Sequence, residues 1–267
     1  MKSNKQASYL RAWVLCAAFW LMVCTLNTNA ATGEYHWYCK RMADHKQPPL
    51  DAAMRFVLEY DGYYADLRHG DDAQEKVIYL TFDAGYDNGN VSKVLDVLRE
   101  EEVSGAFFVL AHLIEDNTDL VRRMIEEGHL VCNHTVKHRD MSRVTTQEEF
   151  ERELRALEQL FYEKTGSVMP KYYRPPEGKF SEANMKFAKA AGYKTIFWSF
   201  AYADWDNDRQ MSPEKAEQLI LDHIHNGAVL LLHPTSATNA AVLGDVIRTL
   251  KAQGYRFGTL DELVAQS

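Results

Sequence analysis

Cysteine is scarce in this 267-residue sequence, which contains only four such residues. Two of them, Cys16 and Cys24, lie within the first thirty residues. The other two, Cys39 and Cys132, could form a disulfide in an exported protein, but Cys132 lies in an apolar segment and also suits a buried core position. We favour the core interpretation for Cys132.

A long apolar segment is also missing. The apolar run at residues 12–26 is shorter than the roughly 20 residues that a comfortable membrane span needs. It follows Lys2, Lys5 and Arg11 and precedes small residues at 28–31, which is the arrangement of a secretory signal. We therefore predict a signal peptide over residues 1–30, with an uncleaved anchor as the alternative and membrane contact through this segment only. The mature protein is expected to be secreted and to act outside the cytoplasm.

Positive charge is under-represented. The formal net charge is −8, and removal of residues 1–30 would take away three positive charges and bring it to −11. A protein this acidic is a poor partner for nucleic acid. The composition, 46% hydrophobic and 25% charged, is otherwise that of an ordinary globular protein. We place one large domain at residues 76–267, preceded by an extension at residues 31–75 that is too short for a core of its own.

From Lys76 onward the sequence alternates between predicted strands and helices. Residues 76–82 are apolar or β-favouring on both alternating faces, as in a strand buried within a parallel sheet. Six or seven strand-then-helix units follow in series, and five of the helices end near a glycine suited to a left-handed cap. A closed or nearly closed (β/α) barrel of the α/β class is the economical architecture, and an open doubly wound sheet is the alternative.

Chemically capable side chains follow one predicted strand after another. Barrel enzymes place their active sites at the rim formed by the carboxyl ends of the strands, so we expect these side chains to converge. A single coincidence would mean little, since ten histidines are scattered through the chain, but five strand ends in succession are hard to reach by chance. The candidates are Asp83, His134 with His138, Arg174, Asp204 with Trp205, and His233.

His134 and His138 are spaced by one helical turn, so both imidazoles could face one metal ion. Two surface histidines on a loop are the alternative, but the pair directly follows a predicted buried strand, and this position favours a metal site. Two nitrogen ligands, completed by a carboxylate and water, suit zinc or a similar divalent ion.

The other candidates each allow two interpretations. His233 could act as a general acid or could be a satisfied core histidine. Arg174, held before two prolines, could orient Asp83 or bind an anionic substrate, or it could form a surface ion pair. Asp204 could hold His233 in one tautomer and Trp205 could stack on a sugar ring, unless both simply precede a helix.

Five motifs now stand in a characteristic order. They are Thr81-Phe82-Asp83-x-Gly85, His134-Thr135-x-x-x-Arg139 with His138, Arg174-Pro175-Pro176-x-Gly178, Asp204-Trp205 and Leu231-Leu232-His233. In this order the chain resembles the polysaccharide deacetylases, which are NodB-like carbohydrate esterases, over roughly residues 76–260. The resemblance implies a distorted, TIM-like (β/α) barrel and metal-assisted removal of N-acetyl groups from a polysaccharide.

The resemblance also implies roles for individual residues. Asp83 would be the general base and His233 the general acid, while His134 and His138 would bind a divalent metal ion, with zinc the first choice. Hydrolysis would begin with a metal-activated water attacking the acetyl carbonyl.

Further implied roles are supporting ones. Arg174 would orient Asp83, and Asp204 would support His233. The backbone N–H of Glu177 would contribute to an oxyanion hole, and Tyr86 and Trp205 would contact the substrate.

One position departs from the family pattern. The usual motif is Thr-Phe-Asp-Asp-Gly, in which the second Asp binds the metal, but here that position is Ala84. Two protein ligands are few for zinc, so another residue, waters or the substrate must complete the shell. The altered motif resembles that of delta-lactam-forming peptidoglycan deacetylases of spore-forming bacteria, which act on muramic acid lacking its stem peptide. The upstream segment at residues 60–64 resembles that group too.

This resemblance predicts which polymer the protein binds, and other functions remain as alternatives. The expected substrate is the glycan strand of peptidoglycan in the cell wall or spore cortex, and a cation such as Arg174, Lys179 or Arg139 is hypothesised to bind the exposed lactyl carboxylate. The alternatives are an N-acetylglucosamine deacetylase acting on peptidoglycan or chitin, an esterase that removes O-acetyl groups from xylan, and an inactive glycan-binding homologue.

Overall fold

The structure, a computed structural model, describes residues 33–265. The predicted signal peptide at residues 1–30 therefore lies outside the described residues. No helix between residues 33 and 265 has the length and apolar character that a membrane crossing requires. Cys132 is buried in the core and Cys39 is half-buried, and both are free thiols.

Ten strands and nine α-helices make up the described chain. The strands are β1 (Glu34–His36), β2 (Gly62–Tyr63), β3 (Lys76–Ala84), β4 (Ala106–Val109), β5 (Leu130–Asn133), β6 (Tyr172–Tyr173), β7 (Lys179–Ser181), β8 (Lys194–Ile196), β9 (Ala228–Leu232) and β10 (Tyr255–Phe257). The helices are α1 (Phe56–Glu59), α2 (Val91–Glu100), α3 (Ala111–Asp116), α4 (Thr118–Glu126), α5 (Gln147–Thr165), α6 (Glu182–Ala190), α7 (Pro213–His223), α8 (Ala237–Ala252) and α9 (Leu260–Val264). Short 3₁₀ turns lie at Ala52–Met54, Met141–Arg143 and Pro176–Gly178.

Eight of the strands form one parallel sheet that curls on itself. Its order is β10-β3-β4-β5-β6-β8-β2, and β9 pairs with β3 as well. Past the end of β8, Phe200 forms a parallel bridge to Leu230 of β9, which links the two sides of the sheet. The expected α/β fold with a distorted (β/α) barrel is confirmed.

Strand β3 is buried on both faces, as its two apolar sets predict. Val77 and Tyr79 contribute to a cluster inside the curled sheet, whereas Ile78, Leu80 and Phe82 pack into a second cluster with the surrounding helices. Because successive side chains of a strand point to opposite faces, Asp83 lies on the inner side and its neighbour Ala84 on the helix side. The central strand thus delivers one carboxylate to the mouth of the barrel.

The segment before β3 is attached to the sheet at several points. Strand β1 pairs antiparallel with β7, and β2 extends the large sheet by pairing with β8. Ala65 bridges to Ala228, and the indole N–H of Trp37 donates to the carbonyl oxygen of Trp198 at 2.8 Å. These contacts bring residues 37–41 next to the chain that follows β8.

Helix ends follow the predicted chemistry in most places. Ser181 forms a full capping box with Asn184 at the start of α6, and Gly166 ends α5 in a left-handed conformation with φ of 73°. At the start of α5 the Thr146-x-x-Glu149 sequence has the pattern of a capping box, but the box is only half formed. The Thr146 hydroxyl accepts from the Glu149 N–H, but the Glu149 carboxylate pairs with Arg139 at 2.6 Å instead of turning back.

Candidate active site

Seven of the nine residues singled out from the sequence line a single open cleft of about 680 Å³ at the carboxyl ends of the strands. The other two, Arg174 and Asp204, lie beneath its floor and are fully buried. The predicted residues in the wall are Asp83, Tyr86, His134, His138, Glu177, Trp205 and His233. Sequence reasoning therefore located the cleft, and the structure adds how its members are oriented.

Asp83 and Arg174 form a buried ion pair under the cleft. The Arg174 guanidinium donates from Nη1 to Asp83 Oδ1 at 2.7 Å, from Nη2 to Thr81 Oγ1 at 2.8 Å and from Nε to the carbonyl oxygen of Ile196 at 2.9 Å. Burial alone would raise the pKa of Asp83, but the positive charge of Arg174, with a smaller contribution from His233, holds this pKa below its usual value. Asp83 is therefore ionised and fixed in orientation.

This geometry corrects one interpretation of Arg174. The side chain is completely buried and its donors are committed to Asp83, Thr81 and backbone carbonyls. An anionic substrate in the cleft cannot replace these partners without leaving Asp83 unpaired. The suggestion that Arg174 binds an anionic substrate, including a lactyl carboxylate, is wrong.

His134 is delivered by the end of β5 with its ring oriented by the backbone. Its Nδ1 donates to the carbonyl oxygen of Arg174 at 2.9 Å, and because a carbonyl only accepts, the proton of the neutral ring lies on Nδ1. Nε2 then presents its lone pair 3.5 Å from Asp83 Oδ2. Burial lowers the pKa of His134 to about 4 in spite of the nearby Asp83 charge, so the imidazole is neutral near pH 7. This is the state that a metal ligand requires.

His138 lies beside His134, but the backbone between them is not helical. The ring centroids are 5.0 Å apart, whereas Thr135 and His138 have positive φ angles of 73° and 56°. The one-helical-turn argument for this pair is therefore wrong, since a loop with two left-handed residues brings the rings together. Positive φ values at non-glycine residues are costly and tend to occur where function requires them.

The donor set near this pair fits a metal ion only in part. Among residues 33–265, no group of three or more His, Cys, Asp or Glu side chains is arranged to hold a cation. The fully buried Ala84 supplies no donor. Two imidazoles, one of them neutral with a fixed tautomer, fit a divalent ion such as Zn²⁺ as a partial ligand set.

His233 and Asp204 form the second charged unit. His233 Nδ1 donates to Asp204 Oδ1 at 2.7 Å, and Asp204 Oδ2 accepts from the His233 backbone N–H at 2.8 Å and from Asn239 Nδ2 at 2.5 Å. Burial lowers the pKa of His233, but the hydrogen bond and charge of Asp204 outweigh it, so the net pKa is raised. The ring is thus stabilised in its protonated form, with Nε2 as the remaining donor.

Three residues of the cleft wall remain. Glu177 sits in the Pro176–Gly178 turn with φ of 56°, its carboxylate pairs with Lys179 at 2.7 Å, and its N–H donates to no other residue that the structure describes. Trp205 is 61% exposed and Tyr86 is 42% exposed, so both rings offer apolar surface to a ligand.

Sequence reasoning missed the contacts that tie the loops together. The side-chain amides of Asn88 and Asn90 both donate to the carbonyl oxygen of Thr235, at 2.9 and 3.0 Å. They join the loop after Asp83 to the loop after His233. The Asn-Gly-Asn sequence signalled only a turn, and nothing in it indicated a partner 145 residues away.

Comparisons with known proteins agree with this geometry. A family model described as polysaccharide deacetylase matches residues 70–196. The peptidoglycan-N-acetylmuramic acid deacetylase PdaA of Bacillus subtilis is 38% identical over 253 residues, which cover 94% of each chain. A peptidoglycan-N-acetylglucosamine deacetylase of Bacillus cereus is 34% identical and covers 71% of this chain and 89% of its own. The solved structure of Bacillus subtilis PdaA, described as a family 4 carbohydrate esterase, superposes with a TM-score of 0.82 at 38% identity, covering 89% of this chain and 99% of that one.

Proposed function

The chain belongs to the polysaccharide deacetylase family, and from this premise we propose that it removes N-acetyl groups from the glycan strands of peptidoglycan. The observation that carries the proposal is the presence of two differently charged units at one cleft, each with one member in the wall and one buried beneath it. Asp83 is held ionised by Arg174, and His233 is held protonated by Asp204. A base that accepts the proton of the attacking water and an acid that protonates the departing nitrogen are what amide hydrolysis needs.

Muramic acid without its stem peptide is the sugar that we assign as the substrate. Support comes from the relative named as an N-acetylmuramic acid deacetylase, which matches nearly the whole chain, and from the motif containing Ala84, which resembles that of the delta-lactam-forming deacetylases. Deacetylation there would lead to the muramic δ-lactam of spore cortex. The site of action would be extracytoplasmic, in keeping with the signal sequence predicted at residues 1–30.

In the proposed reaction water adds to the acetyl carbonyl carbon, and the amide C–N bond then breaks to give acetate and a free amine. Asp83 takes a proton from the attacking water through Oδ2, while Oδ1 stays bonded to Arg174. His233 gives the proton on Nε2 to the departing nitrogen, and Asp204 stabilises the charged ring beforehand. Each proton transfer by a positioned side chain contributes about 10²–10⁴-fold to the reaction rate.

Stabilisation of the developing oxyanion is assigned to two groups. The backbone N–H of Glu177 is assigned this role because it has no hydrogen-bond partner within the described chain and is free to donate to the oxyanion. A divalent ion held by His134 and His138 would polarise the carbonyl and lower the pKa of water, which is the chemistry such ions supply.

Two other functions remain open to test. An N-acetylglucosamine deacetylase is favoured by the relative of that name, which is 34% identical. A catalytically impaired glycan-binding protein is favoured by the small donor set and by Ala84.

The deciding experiment measures acetate release on three substrates with defined divalent metals. These are glycan strands stripped of stem peptides, intact peptidoglycan strands, and chitin oligomers. The proposal expects activity on the stripped strands, and loss of at least about 100-fold in Asp83→Asn. Asp119→Asn, an equal change at an exposed helix position, is the control. Activity on chitin oligomers alone would favour the second candidate, and glycan binding without acetate release at any metal would favour the third.

A further inference from the structure

A cation at the edge of the cleft would complement the charge of a substrate of the proposed kind, and this inference rests on the proposed function. Peptide-free muramic acid carries a lactyl carboxylate on C3, next to the carbon that bears the acetamido group. Whatever binds the acetamido group therefore holds a negative charge close by. The cleft wall of the described chain contains Asp83 and Glu177 but no lysine or arginine.

The three cations suggested by the sequence are all occupied. Arg174 is buried and bonded to Asp83, as described above. Lys179 pairs with Glu177 at 2.7 Å, and Arg139 pairs with Glu149 at 2.6 Å. A carboxylate ligand would have to displace a protein carboxylate at each of these positions, so none is a ready anion site.

Arg41 is different in both position and partners. Its Nη2 donates to the carbonyl oxygen of Ala201 at 3.4 Å, and Ala201 lines the cleft next to Trp198 and Tyr202. The adjacent Lys40 is 3.9 Å from Asp51, but Arg41 forms no ion pair with a carboxylate of residues 33–265. Its guanidinium is exposed and retains donors that point at no protein carboxylate.

The segment that carries Arg41 is attached to the fold through Trp37. Trp37, four residues earlier, is buried, stacks on Phe197 at 4.2 Å and donates to the Trp198 carbonyl. The segment carrying Arg41 is therefore anchored to the chain that forms one wall of the cleft. We propose that Arg41 binds the lactyl carboxylate of the substrate and so determines the preference for muramic acid residues without a stem peptide.

This role explains why a stem peptide would matter. Attachment of the peptide converts the carboxylate to an uncharged amide, which accepts a hydrogen bond but no longer attracts a guanidinium by charge. A planar guanidinium binds a carboxylate through two parallel hydrogen bonds, and an amide cannot match that geometry. Selectivity for the free acid follows from a single contact.

The test compares two soluble glycan fragments that differ in one group, a free lactyl carboxylate or the corresponding primary carboxamide. The readout is the ratio of kcat/KM for the acid to kcat/KM for the amide. We expect the wild type to prefer the acid by about tenfold at low salt, the value of one charge-assisted contact, and less at high salt. Arg41→Gln should bring the ratio close to one, and Arg41→Lys should keep part of it.

Two control variants make the result specific. Arg55 lies in the same N-terminal segment, is exposed and forms no ion pair within the described residues, so Arg55→Gln should keep the wild-type ratio. Lys137, beside His138, is an exposed cation near the cleft that forms no ion pair within the described part of the chain, and so it is an alternative to Arg41. Loss of the preference in Lys137→Gln but not in Arg41→Gln would overturn the proposal.

Failure of the inference and failure of the proposed function give different results. If the wild type releases acetate equally fast from acid and amide, the carboxylate is not recognised and the Arg41 proposal is wrong, while muramic deacetylation stands. If it releases acetate from neither fragment but does so from chitin oligomers, the proposed substrate is wrong. A ratio that is unchanged in a correctly folded Arg41→Gln protein refutes Arg41 alone.

Discussion

Replacement of Asp204 by asparagine tests the acid side of the reaction. Asp204 accepts three hydrogen bonds, two from His233 and one from Asn239. An asparagine has one acceptor oxygen and one donor amide, so it cannot satisfy all three donors. The side-chain oxygen of the new asparagine is expected to accept from the two N–H groups that Asp204 Oδ2 now accepts from, those of the His233 backbone and the Asn239 amide. Its NH₂ group then points at His233 Nδ1, which must become an acceptor, so the neutral ring carries its proton on Nε2.

The magnitude follows from the bond that is lost. A hydrogen bond to a charged group contributes about 1.5–3 kcal/mol, which corresponds to roughly 10- to 150-fold in a rate constant. Without the Asp204 charge, burial remains as the dominant influence and lowers the pKa of His233 below its usual value. The protonated form is then scarce above neutral pH. We expect kcat/KM at about pH 8 to fall by roughly 10- to 150-fold, with a smaller loss near pH 6.

The assay is the pH profile of kcat/KM for acetate release from peptide-stripped glycan. The alkaline limb should move to lower pH in Asp204→Asn. Asp206→Asn removes the same charge from the same loop, where the side chain pairs with Arg209 at 2.8 Å and does not contact His233. An alkaline limb that stays in place, or that moves equally in both variants, would refute the reasoning.

The same contact predicts how stability depends on pH. The pKa of His233 is raised in the folded protein above its ordinary value of 6.5, so the protonated ring stabilises the fold. This contribution is fully present below about pH 6.5 and is lost as the pH rises through the raised pKa. Urea denaturation at pH 6 and at pH 8 should therefore differ less in Asp204→Asn than in the wild type.

Three further outcomes are expected. His134→Gln should lose zinc binding in calorimetry together with at least about 100-fold in acetate release, and unchanged zinc stoichiometry would remove the metal assignment. Arg174→Met leaves Asp83 buried without its partner and should lower the free energy of unfolding by about 3–5 kcal/mol in urea, whereas Arg139→Met, at an exposed pair, should cost about 1 kcal/mol or less. Equal stability of these two arginine variants would contradict the burial argument. Trp205→Ala should raise KM for long glycan strands by roughly 2- to 12-fold with kcat nearly constant, and a fall in kcat alone would exclude stacking as its role.

The fold could be predicted where the chain carries a strong period or a cap. Strands β3 and β9 are continuous apolar runs, and helix α6 begins at a serine with a full capping box. The sequence gives little indication of helix α3, because its N-cap is Leu110, which provides no capping side chain, and the helix is only six residues long. Strands of two or three residues, such as β1 and β2, have no period to detect and form only because a partner strand is present.

The candidate site could be predicted to the level of residues but not of contacts. Parallel strands end at one rim, so residues placed just after strands had to converge, and those after β3, β5 and β9 do. Burial could not be read in the same way. Arg174 looked like a rim cation in the sequence and proved to be the most deeply enclosed charge of the described site. The loop that joins His134 and His138 depends on positive φ angles at Thr135 and His138, which no local sequence pattern predicts.

The two histidines that flank Asp83 have opposite pKa shifts, and the partner of Nδ1 explains the difference. In His134 that partner is a neutral backbone carbonyl, so burial prevails and the pKa falls to about 4. In His233 the partner is the carboxylate of Asp204, whose charge outweighs burial and raises the pKa. One imidazole is therefore kept as a lone-pair donor and the other as a proton donor within one cleft. The sequence contains both rings at equivalent strand ends, so only the identity of the atom behind each ring separates the proposed metal ligand from the proposed acid.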